Sequence, residues 1–146
     1  VYLCLMSKII AIDYGTKRVG LAATDDLQII ASGLTTVHSS ELVSFLEEYC
    51  AKNKVESIVI GLPKTLQNTD TDSSKEVAKI TTHLTRKFKD IKVETLDERF
   101  TSTMASSVIA QSGMSKKKRQ NKALVDEISA VIILQDYLQQ KANGIR

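Results

Sequence analysis

Residues 8–14, KIIAIDY, form an apolar run rich in β-branched side chains and predict a strand. A short Gly-containing turn separates it from 18–25, RVGLAATD, which predicts a second strand and a hairpin. Residues 29–37, IIASGLTTV, continue as a third antiparallel strand. The period then changes. Over 39–53, Leu42, Phe45, Leu46 and Tyr49 recur at helical spacing behind a Ser cap. Residues 55–61, VESIVIG, are mostly apolar, as a buried parallel strand should be. Val77, Ile80, Leu84 and Phe88 mark one face of a helix over 74–89, and 92–98, KVETLDE, predict a further strand. Residues 101–113 read as a helix opened by Thr or Ser and closed by Gly113. Residues 123–140 read as a final helix, apolar nearly all round through its middle and therefore largely buried.

The order is three strands in a meander, then helix, strand, helix, strand, helix, helix. It implies an α/β three-layer domain with a mixed five-stranded sheet and helices on both faces. Each later strand is reached through a helix, so right-handed parallel crossovers are expected. No internal repeat interrupts the pattern, and 146 residues suffice for one compact domain, 1–146, with a sizeable core. Residues 1–7 read as an N-terminal extension, with Met6 as the natural start. The polar stretch 62–74 is the longest irregular segment and a candidate functional loop.

Composition narrows the class without naming a chemistry. With 42% apolar and 25% charged residues the chain fits a soluble globular protein. No run approaches membrane-spanning length, and the opening VYLCLM is too short for a signal segment. Cys4 and Cys50 give neither a disulfide framework nor a CxxC metal pair, so both are expected to be inert and the compartment cytoplasmic. His38 and His83 lack metal-ligand spacing and read as surface residues. The net charge of +3 does not by itself announce a polyanion partner. Its distribution does more: Lys116, Lys117, Lys118, Arg119 and Lys122 put five cations into seven residues, dense enough to hold a phosphate backbone. With few aromatics beside them, a base-stacking platform is not indicated.

Three acids stand where chemistry would need them. Asp13 ends an apolar strand, Glu98 ends the last strand, and Asp126 lies early in the last helix. Sites in open α/β sheets gather beyond the carboxyl ends of parallel strands, so the three can converge. Packed carboxylates repel, and a divalent cation with oxygen ligands removes the conflict. Such ions also clamp the attacking and leaving oxygens of a phosphodiester. Simpler readings compete. Asp13 could accept from the Gly15 amide as a turn-entry Asp. Asp97 matches Glu98 on spacing. Asp126 could serve only the helix dipole. Lys17, Arg18 and Arg99 lie near the acids in sequence and could bind phosphate; Arg99 could equally pair with Glu98.

The segments IDYGTKRVG, IVIGLP, VETLDERFTS, KKKRQNK and LVDEISAVIILQDYL stand in the order of the YqgF family, the RuvX-like Holliday junction resolvases and nucleases. The chain resembles that family from about Lys8 to Leu138. The resemblance implies a ribonuclease H-like fold and a metal-dependent nuclease using Mg²⁺ or Mn²⁺, with Asp13, Glu98 and Asp126 as the acids. It favours Glu98 over Asp97. It further implies a nucleic-acid substrate, either the 5′ end of pre-16S rRNA or branched DNA, and a monomer or homodimer without membrane association. Lys17, Arg18, Arg99, Lys116, Lys117, Lys118, Arg119 and Lys122 would contact the nucleic acid. Residues 64–76 depart from the family in lacking both a Gly-containing turn and a later Pro.

Two rivals follow from the same residues. D-x-G-T is also a phosphate-loop pattern of actin-like and sugar-kinase ATPases, but those need two related domains and only one fits here. A non-catalytic nucleic-acid-binding factor on a retained fold is the other.

Overall fold

The structure is a computed structural model and describes residues 7–15, 17–62, 72–97 and 122–144. The first three strands are β1, Lys8–Tyr14, β2, Arg18–Thr24, and β3, Ala31–His38. They pair antiparallel in sequence order. Helix α1, Leu42–Lys52, leads to β4, Val55–Leu62. Helix α2, Asp72–Lys87, leads to β5, Lys92–Asp97. Helix α3, Lys122–Ala142, closes the described chain.

One five-stranded sheet results, in the order β3-β2-β1-β4-β5. β1 pairs parallel with β4, and β4 parallel with β5. β1 is therefore central, and its carboxyl end lies at the same edge as those of β4 and β5. This is the mixed sheet expected from the element order.

The faces follow from strand alternation. Ile10, Ile12, Val19, Leu21, Ile58 and Ile60 join Leu42 and Leu46 of α1 and Val77 and Leu84 of α2 in one buried cluster. Ile9, Ala11, Ala22, Val59 and Leu96 form a second cluster with Ala130, Ile133, Leu134 and Tyr137 of α3. β1 and β4 thus contribute apolar side chains to both faces, which is why they read as nearly unbroken apolar runs.

Several boundaries moved for local reasons. Residues 39–41 form a 3-10 turn before α1, and no side chain caps α1 at Glu41. The expected Ser cap is replaced by His38, whose Nδ1 accepts from the Ser40 amide at 3.1 Å. His38 is thus an exposed capping residue. α2 begins at Asp72, so the last three residues of the expected loop are helical. β3 starts at Ala31 because Asp25 organises a turn ahead of it: its Oδ1 accepts from the Ile29 and Ile30 amides, each at 2.8 Å. Lys122, expected within the basic loop, is the first residue of α3. The helix expected over 101–113, the remainder of the basic segment, Met6 and Cys4 lie outside the described residues.

Candidate active site

Asp13 is the sixth residue of the central strand, cross-strand partner of Gly20 in β2. The alternation that puts Ile9 and Ala11 under α3 gives the same face to Asp13. On β2, Ala22, Gly20 and Arg18 share that face. Asp13 is half-buried, at the edge where the parallel strands end.

Glycine at position 20 decides how closely α3 approaches. A Cβ there would fall on the Asp126 carbonyl and 2.9 Å from the Glu127 amide nitrogen. The backbone of α3 at Asp126 therefore rests directly on β2, beside the strand position that faces Asp13. Residues 113 apart in sequence are brought to neighbouring positions by one missing methyl group.

Arg18 completes the described site. Its Nε donates to Asp126 Oδ2 at 2.9 Å, with the Arg18 side chain 46% and the Asp126 side chain 25% exposed. This contact also changes the meaning of the helix acid. Asp126 lies beyond the first turn of α3, which contains no acidic residue, so service to the helix dipole is not its role. The β1–β2 turn has a backbone closure of its own. The Gly15 amide donates to the Arg18 carbonyl at 3.0 Å, closing the β1–β2 turn.

The remaining expected residues divide cleanly. Lys17 lies in that turn, where its carbonyl accepts from the Ser39 amide at 3.1 Å. Glu98, Arg99, Lys116, Lys117, Lys118 and Arg119 lie outside the described residues. Of the three acids the structure describes two, Asp13 and Asp126, at adjoining backbone positions, and among the described residues no group of three or more His, Cys, Asp or Glu side chains could hold a metal ion. Asp13 and Asp126 are oxygen donors of the kind a hard divalent cation requires, and in that respect they fit such an ion.

Other titratable groups are placed for structure. Tyr14 belongs to the α1/α2 face, where burial, and then the Glu76 carboxylate, push its phenol above the usual range. It stays a neutral hydroxyl. Burial likewise raises the Cys50 thiol, which packs against the core. His83 is exposed on α2. Sequence reasoning missed Gly20 as a site residue. The signal was a glycine inside a strand pattern, which marks a close backbone approach.

Residues 7–140 match the family model for RuvX, described as Holliday junction resolvase. The chain belongs to the RuvX family. A relative from Flavobacterium johnsoniae, named "Putative pre-16S rRNA nuclease", is 52% identical over 93% of this chain and 99% of its own length. A relative of the same name from Bacteroides thetaiotaomicron is also 52% identical, with the same coverage. The fold is similar to that of Thermus thermophilus RuvC in complex with a Holliday junction substrate, at TM-score 0.56 and 12% identity over 93% of this chain and 96% of that one. It is also similar to the fowlpox virus Holliday junction resolvase, at TM-score 0.55 and 10% identity, over 91% of this chain and 99% of that one. The sheet order β3-β2-β1-β4-β5 belongs to the fold that the chain shares with these two structures.

Proposed function

We propose that this RuvX-family chain is a cytoplasmic, divalent-metal-dependent nuclease that hydrolyses a phosphodiester of pre-16S rRNA. The observation that carries the reading is the seating of Asp126 on Gly20, beside the strand position of Asp13. Asp13 and Asp126, from distant parts of the chain, occupy adjoining backbone positions at the carboxyl edge of the parallel strands, where α/β folds gather their sites. The names of the relatives support RNA as substrate.

Asp13, Asp126 and Glu98 would hold the cation. Glu98 and Asp97 are adjacent acids at the end of the last strand in the sequence, and the order of motifs shared with the family favours Glu98. That supports Glu98 as the third ligand. When bound, the cation would lower the pKa of a water and neutralise charge on the phosphate. The chain's own part is to fix the carboxylates and supply cations to the backbone. Lys17, Arg99, Lys116, Lys117, Lys118, Arg119 and Lys122 are the residues proposed for those contacts, Arg18 joining them once substrate is present.

Cleavage of an rRNA precursor, of linear single strands and of branched DNA, side by side in Mn²⁺, tests the substrate. Mn²⁺-dependent cutting of the precursor that is lost in Asp13→Asn, with the fold unchanged, is the expected result. Preferential cutting of the branched DNA by a two-fold dimer would instead support the junction reading carried by the family's description. Tight ATP binding without cleavage, or metal-insensitive nucleic-acid binding without cleavage, would replace it with one of the two rivals.

A further inference from the structure

We propose that Arg18 is a resident counter-ion for Asp126 and that divalent-cation binding at the acids must compete with it. The inference rests on the metal-site reading above and concerns how that site is filled. The residues are separated by 108 positions, so their 2.9 Å contact is tertiary and built by the fold. It is made through Nε to a single carboxylate oxygen. Without a metal, neighbouring carboxylates repel one another, and a guanidinium on one of them relieves part of that repulsion. A divalent cation entering beside the same carboxylate meets a like charge.

Arg18 is also nearly half exposed, so its hold on Asp126 is weak enough to be exchanged. A phosphodiester offers the guanidinium a second acceptor suited to its planar fork. Arg18 can then leave Asp126 for phosphate, which lowers the competition at the moment substrate arrives. Metal loading is thereby favoured on the substrate-bound protein over the free one. Arg18 is in this sense a positioning residue whose effect is read in metal affinity, apart from any phosphate contact.

Calorimetric titration with Mn²⁺, without nucleic acid, tests this on the wild type, Arg18→Gln, Arg18→Lys and Asp126→Asn. Arg18→Gln should bind Mn²⁺ about two- to fivefold more tightly, the range expected from removing a part-exposed ion pair. Its melting temperature should also rise more on Mn²⁺ addition than that of the wild type. Arg18→Lys, with a shorter reach and a weaker hold, should fall between the two. It carries the test if the Gln variant does not fold. Mn²⁺ affinity that is unchanged or weaker in the Arg18 variants overturns the proposal. Unchanged affinity in Asp126→Asn overturns the metal reading beneath it, and the two failures are separately visible.

Discussion

Gly20 lies directly beneath the carbonyl of Asp126, so close that no side chain could stand between them. The contact sets both the height of α3 above the sheet and the place of its acid. Gly20→Ala must push α3 away or bend β2. We expect a destabilisation of ~1–3 kcal/mol, the usual range for overpacking, measured by urea unfolding. Activity should fall by more than stability explains, because the displaced group is Asp126 itself. Full activity in a folded Gly20→Ala protein would show that the spacing of α3 does not position the acid.

The family resemblance favours Glu98 over its neighbour Asp97 as the third acid. Glu98→Gln should abolish Mn²⁺-dependent cleavage, whereas Asp97→Asn should retain most of it. Rate measurements on both variants, matched for thermal stability, decide the assignment. The opposite ranking would assign the third acid to Asp97.

Asp25 governs the β2–β3 turn through its carboxylate. Hydrogen bonding from the Ile30 amide, supported by those of Ile29 and Leu27, holds its pKa below the ordinary 3.8 despite partial desolvation. A depressed native pKa means stability that is present above the unfolded value and lost as pH falls through the native one. Asp25→Asn should therefore lower stability at neutral pH and flatten the acid limb of the stability–pH curve below about pH 4. Parallel acid limbs in the two proteins would contradict this.

The packing of α3 rests on Leu134, which is fully buried with Ile9, Ala11 and Val59. Leu134→Ala should cost ~2–5 kcal/mol by urea unfolding. A loss below that range would mean that the space beneath α3 collapses readily.

Gln28 ties the far end of the sheet together. It adopts a left-handed φ of 59° and donates from Nε2 to the Ser7 carbonyl at 3.1 Å and to Glu56 Oε1, while its Oε1 accepts from Lys141 at 3.0 Å. Gln28→Ala removes these bonds and leaves the unfavourable φ. It should lower the melting temperature, whereas Gln28→Gly, which relieves φ, should lower it less. Equal losses in the two variants would assign the whole effect to the hydrogen bonds.

The alternation of apolar residues in β1, β2 and β4, and the helical spacing of Leu42, Leu46, Val77 and Leu84, were enough to determine the described elements and the mixed sheet. Local pattern carries such information because burial imposes a period of two on strands and 3.6 on helices. The acids were nameable as types, but residue type alone could not say which face each took or whether any two would meet. Ser39 lost its predicted cap to His38, since capping depends on the geometry of the turn and not on composition. The neighbourhood of Asp13 and Asp126, and the attachment of Arg18 to Asp126, arose only from tertiary packing. They depend on the register of β1 with β2 and on the absence of a methyl group at Gly20, distances that no local spacing encodes.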